Sequence, residues 1–131
     1  MSRQERRPSI RTLIVDDSEA ILNFMSRALN LRQGIEVIGS ASNGAEAVAR
    51  SEDLRPDVVV MDVEMPIMDG LEATRCIKRA HPAVVVVLVS GSADLPAASL
   101  SAGADGYIAK PCSADSLIHR VMGNFERTYT P

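Results

Sequence analysis

Residues 58–70 read VVVMDVEMPIMDG, so that a carboxylate, Asp62, follows directly on a short apolar run. The four residues before Asp62 predict a buried strand, because an unbroken run of apolar side chains suits a strand that is covered on both faces. A carboxylate at the end of such a strand costs several kcal/mol unless other groups offset its charge. We therefore expect Asp62 to have polar or charged neighbours in the folded chain.

The rest of the chain alternates apolar runs with segments of helical periodicity. Five runs in all predict strands at residues 10–15, 35–41, 58–61, 84–89 and 107–109. Apolar strands that alternate with helices indicate a parallel sheet with helices on both faces. The predicted fold class is therefore α/β, a doubly wound (βα)5 arrangement around a five-stranded parallel sheet.

Apolar stripes and cap residues predict a helix after each strand. The candidate N-caps are Ser18, Asn43, Asp69 and Ser113. The fourth helix, predicted at residues 94–102, has the least regular pattern, since it holds Pro96 and is rich in serine and alanine. One domain over residues 10–127 accounts for all of these elements, with a flexible basic tail at 1–9 and a short C-terminal tail at 128–131.

Composition limits the classes of function. A net charge of -3 over 131 residues argues against direct binding of nucleic acid, which needs a generally basic surface. We interpret the arginines near the amino end as part of a solvated tail and not as a docking arm. They are Arg3, Arg6, Arg7 and Arg11.

Apolar runs and cysteines indicate the compartment. The longest apolar run, residues 83–89, is too short to cross a membrane. Cys76 and Cys112 match no metal or redox spacing, so we expect reduced thiols in a cytoplasmic protein.

Polar side chains follow four of the five predicted strands. Asp16 and Asp17 follow the first strand, Asp62 the third, Ser90 the fourth and Lys110 the fifth. Because right-handed crossovers bring the carboxyl ends of parallel strands to one edge, we expect these residues to converge. Each has an ordinary explanation by itself, as a turn, a helix cap, a strand end or a solvated loop. If these ordinary explanations were all correct, polar residues suited to one site would follow four separate strands by coincidence.

Three neighbouring carboxylates predict a bound cation. They repel one another and cannot all stay ionised without positive charge nearby. Lys110 compensates one charge, and oxygen ligands without histidine or cysteine favour Mg²⁺ or Mn²⁺ over zinc. A hard cation, an ammonium and a hydroxyl together suit a phosphoryl group, and one of the acids could itself be the nucleophile.

Three segments of the chain resemble the receiver domain of two-component response regulators. The segments are VDDS at 15–18, MDVEMPIMDG at 61–70 and AGADGYIAKP at 102–111. The resemblance spans roughly residues 10 to 127. It implies a flavodoxin-like fold with strand order 2-1-3-4-5. It also implies either a stand-alone receiver or one excised from a larger regulator.

The resemblance implies a phosphoryl acceptor and a metal site. Asp62 would accept a phosphoryl group from a histidine kinase or a phosphotransfer protein. The metal ion would be held by Asp17, Asp62 and the backbone carbonyl of Glu64, and by Asp16 through a water. The Glu64 side chain is expected to be exposed, where it could tune the attack of water on the phosphoaspartate.

The resemblance also implies a conformational switch. Lys110 would pair with the phosphoryl oxygens, and its peptide bond to Pro111 would be cis. The Ser90 hydroxyl would move toward the phosphoryl group, and Tyr107 would reorient with it. Tyr107 has a second interpretation as an ordinary half-buried strand residue.

The function that follows from the resemblance is a signalling switch and not a classical enzyme. The chain would catalyse its own phosphotransfer and dephosphorylation. The face formed by the fourth helix, fifth strand and fifth helix would then control a downstream protein, an output domain or a second copy of the chain. Its segment between Ser90 and Lys110 is shorter than the family pattern.

Two other hypotheses belong to different classes of protein. One is a receiver-like interaction module that does not depend on phosphorylation. The other is an enzyme of the same fold, such as a flavodoxin-like carrier or a Mg²⁺-dependent phosphatase. A flavodoxin has a phosphate loop rich in small and hydroxyl residues after its first strand, where this chain has Asp16 and Asp17, so the sequence argues against FMN.

Overall fold

A computed structural model gives the fold of the chain and describes residues 9–129. Five strands alternate with five helices. The strands are β1 (Ile10–Val15), β2 (Ile35–Ala41), β3 (Val58–Asp62), β4 (Val85–Ser90) and β5 (Gly106–Ala109). The helices are α1 (Glu19–Asn30), α2 (Gly44–Leu54), α3 (Gly70–Ala80), α4 (Leu95–Ala102) and α5 (Ala114–Tyr129).

The five strands form one parallel sheet in the order β2-β1-β3-β4-β5. This confirms both the predicted fold class and the strand order that the resemblance implied. In the register of the sheet, Val15 pairs with Met61 and Ser90 pairs with Ala109. Asp16 follows Val15 and Asp62 follows Met61, so these two residues lie level with each other. The carboxyl ends of β1, β3, β4 and β5 lie at the same edge of the sheet.

Two apolar layers cover the sheet. Val58 and Val60 of β3 point into the layer that packs against α1 and α5, whereas Val59 and Met61 point into the opposite layer. All four side chains are fully buried, as the sequence predicted. Burial of a side chain of this size contributes about 1.5–3 kcal/mol, so β3 is held from both sides.

The predicted caps form at the helix starts. Ser18 accepts a hydrogen bond from the backbone N–H of Ile21, and Asn43 accepts one from that of Glu46. Asp69 and Ser113 likewise accept bonds from the backbone three residues on. These side chains satisfy backbone donors that have no partner within the helix, which explains why the helices begin where they do.

Some strand boundaries differ from the predicted ones. β3 and β4 each run one residue further than expected, to Asp62 and Ser90. At the amino ends, β4 begins one residue later and β5 one residue earlier than expected. The backbone ladder continues past the last apolar side chain, since Asp62 pairs with Val89 and Ser90 with Ala109.

Arg11 does not belong with the basic tail to which the sequence analysis assigned it. It lies in β1, and its guanidinium donates hydrogen bonds to the backbone carbonyls of Leu54 and Arg55, at 2.7 and 2.6 Å. These carbonyls are at the carboxyl end of α2, where Arg55 has a positive φ of 49°. The arginine therefore closes the end of a helix, a role that charge pattern alone does not reveal.

The two ends of the chain test the predicted boundaries only in part. Residues 1–8 and 130–131 lie outside the described range, so the solvated tail at 1–9 stays a prediction. α5 continues to Tyr129, past the expected domain boundary at residue 127. Between residues 9 and 129, none of the helices combines the length and the apolar character that a membrane crossing requires.

Candidate functional site

Three carboxylates gather where β1 and β3 end. One carboxylate oxygen from each of Asp16, Asp17 and Asp62 lies within 4.8 Å of the other two. Asp16 and Asp62 are buried, with 2% and 6% of their surface exposed, whereas Asp17 is exposed. The predicted convergence of these three acids is therefore present. Two of them face the protein and one faces solvent.

The turn into α1 orients the Asp16 carboxylate. Its Oδ1 accepts a hydrogen bond from the backbone N–H of Ser18 at 2.9 Å. The backbone N–H of Asp16 donates in turn to the carbonyl of Ala41 at 3.1 Å. Oδ1 is engaged by the turn, and Oδ2 is the oxygen that contacts Lys110.

Lys110 contacts two of the three acids. Its Nζ lies 3.1 Å from Asp62 Oδ1 and 3.3 Å from Asp16 Oδ2. The backbone N–H of Lys110 donates to the carbonyl of Ser90 at 3.0 Å, which ties this residue to the end of β4. The peptide bond between Lys110 and Pro111 is cis, as the resemblance implied. Lys110 is therefore the charged neighbour that the position of Asp62 led us to expect.

The charges around Asp62 do not balance. Burial raises the pKa of Asp62, and the negative charges of Asp16 and Glu64 raise it further, whereas the hydrogen bond and charge of Lys110 lower it. Burial would lower the pKa of Lys110, but the two carboxylates that contact it raise this pKa overall. One ammonium thus faces three carboxylates, and a further cation would stabilise the group.

The donor set suits a hard divalent cation. All the ligand atoms of Asp16, Asp17 and Asp62 are carboxylate oxygens, which Mg²⁺ and Mn²⁺ prefer. The exposed position of Asp17 leaves one side of the group open to solvent, so an ion there could keep some of its waters. The residues present therefore fit the predicted metal.

Ser90 makes a contact that the sequence analysis missed. This residue is buried, and its hydroxyl donates a hydrogen bond to Glu64 Oε1 at 2.6 Å. The hydroxyl oxygen of Ser90 also accepts a hydrogen bond from the backbone N–H of Ser92 at 3.0 Å. Glu64 is exposed as a residue, as expected, but its carboxylate is engaged. The contact joins the last residue of β4 to a side chain 26 positions away on the loop after β3, and no spacing rule in the sequence indicates it.

Tyr107 lies apart from the acidic group. It occupies the second position of β5, pairs with Leu88 in the register and is 40% exposed. This position agrees with an ordinary half-buried strand residue. The role of a switch that the resemblance implied therefore stays a prediction for Tyr107.

The loop after β3 is held close to Asp62. A Cβ atom on Gly70 would lie 2.3 Å from the backbone oxygen of Asp62, so only glycine fits at this first position of α3. Between them, the backbone N–H of Met68 donates to the carbonyl of Pro66 at 2.8 Å, and Ile67 has a φ of 72°. This is a γ-turn of the rare, strained form, centred on a β-branched residue.

Comparisons with known proteins identify relatives over most of the chain. Residues 12–122 match the family model described as the response regulator receiver domain. The response regulator GacA of Pseudomonas viridiflava is 39% identical over 114 residues, which cover 86% of this chain and 53% of that protein. A protein-glutamate methylesterase/protein-glutamine glutaminase of Geobacillus kaustophilus is 43% identical over 112 residues, which cover 83% of this chain and 32% of that protein.

A solved structure shows the same fold. The chain superposes with a TM-score of 0.83 and 30% identity on a chain from the CheX-CheY-BeF3-Mg+2 complex of Borrelia burgdorferi, covering 90% of each. In the curated proteins the matched part is smaller. The chain spans about half the length, or less, of the curated relatives that it matches.

Proposed function

Because the chain belongs to the response regulator receiver domain family, we propose that Asp62 accepts a phosphoryl group from a histidine kinase or a phosphotransfer protein. One observation carries this proposal: a buried carboxylate at the end of a fully buried strand lies 3.1 Å from an ammonium and beside two further carboxylates. An aspartate with only a structural role would be paired by the lysine alone. The additional acids make a site that is too negative without a ligand.

The proposed chemistry is the transfer of a phosphoryl group between a nitrogen and an oxygen. An Asp62 oxygen attacks the phosphorus of a phosphohistidine as the P–N bond breaks. The imidazole leaves with the bonding electron pair and takes up a proton. Lys110, which contacts Asp62 Oδ1, offsets charge on the transferred oxygens, and water later cleaves the acyl phosphate.

The proposed cofactor is Mg²⁺ or Mn²⁺. Asp17, Asp62 and the backbone carbonyl of Glu64 would hold it directly, and Asp16 would hold it through a water. When bound, such an ion offsets the charge of the carboxylates and of the phosphoryl oxygens. The support is the donor set, which consists of carboxylate oxygens with one exposed member.

The proposed output is a change of surface. Ser90 ends β4 directly beside the carboxyl end of β5, so movement of its hydroxyl would change the conformation of the face formed by α4, β5 and α5. Tyr107 is an exposed aromatic side chain of that face. Receiver domains of this family act on downstream proteins or output domains. Which of these this chain controls, whether it pairs with a second copy and its cytoplasmic location stay predictions.

The test of the acceptor is phosphate uptake from a small donor. The protein is incubated with phosphoramidate or acetyl phosphate and Mg²⁺, and intact-mass measurement should show one acid-labile phosphoryl group. Asp62→Asn should take up none. Asp115→Asn, which changes an exposed acid in the first turn of α5, should behave as the wild type. Absence of uptake in the wild type, or full uptake by Asp62→Asn, would contradict the proposal.

A second measurement addresses the interaction module that does not depend on phosphorylation. Partner binding is compared with and without beryllofluoride and Mg²⁺. Affinity that does not change on addition of this phosphoryl analogue would favour the module over the switch.

A further inference from the structure

The Ser90 hydroxyl already donates its hydrogen bond to another side chain in this structure. A hydroxyl has one hydrogen to donate, and that of Ser90 goes to Glu64 Oε1 at 2.6 Å. This is the short distance typical of a hydroxyl bound to a charged carboxylate, and such bonds are about twice as strong as neutral ones. The backbone N–H of Ser92 donates to the Ser90 hydroxyl oxygen at 3.0 Å, which helps to fix the position of that oxygen. The hydroxyl therefore cannot donate to a group on Asp62 while this arrangement holds.

Glu64 is placed to act on the acceptor as well as on Ser90. It stands two residues after Asp62 on the loop that follows β3, and its negative charge is one of the causes that raise the pKa of Asp62. The loop is anchored just before it, where the backbone N–H of Val63 donates to the carbonyl of Val89 at 3.0 Å. The Glu64 carboxylate and the Asp62 carboxylate therefore repel each other.

The Glu64 side chain has room to leave. A cavity of about 340 Å³ opens beside the Ser90–Glu64 bond, between the loop after β3 and the start of α4. It is lined by Glu64, Ser90 and Leu95, among others. The carboxylate can therefore rotate away from Ser90 without moving a core side chain.

We propose that the Glu64 side chain is a positioning residue that holds the Ser90 hydroxyl in the unphosphorylated arrangement. This inference rests on the proposed function of Asp62. A phosphoryl group on Asp62 obtains the hydrogen bond of Ser90 only by displacing the Glu64 carboxylate. A phosphoryl group carries more charge than a carboxylate and offers three acceptor oxygens, so it can replace Glu64 as the hydrogen-bond acceptor of Ser90. Glu64 thus raises the free energy that a phosphoryl group on Asp62 must supply before the Ser90 hydroxyl changes its hydrogen-bond partner.

The first test needs no phosphoryl analogue. In the NMR spectrum of the protein by itself, the Ser90 hydroxyl proton should be protected from exchange with water in the wild type. It should lose this protection in Glu64→Ala. The control Glu72→Ala removes an equally charged, exposed side chain from the first turn of α3, and it should keep the protection. Equal exchange in the wild type and Glu64→Ala would overturn the inference and leave the proposed function intact.

The second test measures the competition directly. Beryllofluoride is titrated into the protein with Mg²⁺, and Glu64→Ala should bind it about three- to tenfold more tightly than the wild type, the range that one hydrogen bond gives. Glu64→Gln, which keeps an acceptor atom but loses the charge, should lie between the two. In a Ser90→Ala background the gain from Glu64→Ala should shrink to that of Glu64→Gln.

The outcomes of the titration separate the two ideas. Wild-type affinity in Glu64→Ala would overturn the inference, and so would an equal gain with and without Ser90, because charge alone would then explain it. If the wild type binds no beryllofluoride, the proposed function itself fails, and the inference fails with it.

Discussion

Two lysine–aspartate pairs lie at opposite edges of the sheet, and their surroundings differ. At the amino ends of β4 and β5, Lys78 Nζ lies 2.9 Å from Asp105 Oδ2 and also donates to the carbonyls of Pro82 and Val84. Asp105 accepts a further bond from the backbone N–H of Val86 at 2.8 Å. Here one ammonium meets one carboxylate, and backbone groups supply the remaining partners.

At the carboxyl edge of the sheet, more carboxylates than ammonium groups lie together. Lys110 contacts Asp62 and Asp16, and Asp17 adds a third carboxylate to the same group. The pair formed by Lys78 is complete without any ligand, whereas the group around Lys110 keeps an excess of negative charge. The comparison teaches that an ion pair with balanced charge stabilises the fold by itself. An ion pair with additional carboxylates keeps a net negative charge, and this charge favours binding of a cation.

The largest effect is expected from Lys110→Ala. Removal of the ammonium takes away the group that we propose offsets charge on the transferred oxygens, so the rate of phosphate uptake from phosphoramidate should fall by roughly a hundredfold or more. The matched variant Lys78→Ala should keep its rate of uptake per folded molecule. Equal rates in the two variants would break the comparison, since both lysines would then be structural.

The next effect is on stability and concerns Lys78→Ala. The substitution leaves Asp105 partly buried without its cation and removes donors from two backbone carbonyls. The free energy of unfolding should fall by about 2 kcal/mol. Urea denaturation followed by circular dichroism measures this loss. An unchanged midpoint would show that the bonds around Lys78 add nothing to the fold.

Asp62→Asn should act in the opposite direction on stability. The raised pKa of Asp62 means that ionisation is less favourable in the folded than in the unfolded chain, so the wild type loses stability as pH rises above the ordinary value of 3.8. The variant, which cannot ionise there, should have an equal or higher melting temperature at neutral pH, by a few degrees.

The same variant has a pH dependence that checks this sign. Its advantage in melting temperature should disappear at acid pH, where Asp62 is protonated in both states. A melting temperature well below that of the wild type at neutral pH would show that the Lys110 pair outweighs the burial of its charge.

The smallest effect is expected from Asp105→Asn. The amide oxygen can still accept the bond from the Val86 N–H, so only the charge of the pair is lost. The free energy of unfolding should fall by about 0.5 kcal/mol, less than for Lys78→Ala. A larger loss than that of the lysine variant would indicate that the negative charge of Asp105 stabilises the fold through a group other than Lys78.

Residue pattern predicted the backbone and the convergence of the site. The apolar run before Asp62, the caps such as Asp69 and the alternation of strands with helices depend on local physics that spacing reveals. The meeting of Asp16, Asp62 and Lys110 follows from the handedness of crossovers, which holds for parallel sheets in general.

Partners that depend on loop conformation were not predicted. Ser90 and Glu64 meet because the loop after β3 brings the Glu64 side chain to the end of β4, and Arg11 closes α2 because β1 begins beside the end of that helix. In each of these contacts one partner lies in a strand, and the contact depends on a side-chain rotamer and on backbone angles of a segment outside the strands and helices. Periodicity carries no information on them, so the hydrogen bond most relevant to the switch became visible only in the structure.

The γ-turn at Ile67 has a consequence for the design of reporter forms of this protein. An isoleucine that is 84% exposed at a φ of 72° contributes neither to the core nor to a favourable backbone geometry. Glycine or asparagine adopts this φ more readily, so the site tolerates replacement where its neighbours do not. Met68, next in the chain, still anchors the loop through its carbonyl, which accepts from Gly44 at 2.8 Å. A cysteine introduced at position 67 would therefore carry a fluorophore a few residues from Asp62, with the side chains that contact Asp62 left unaltered.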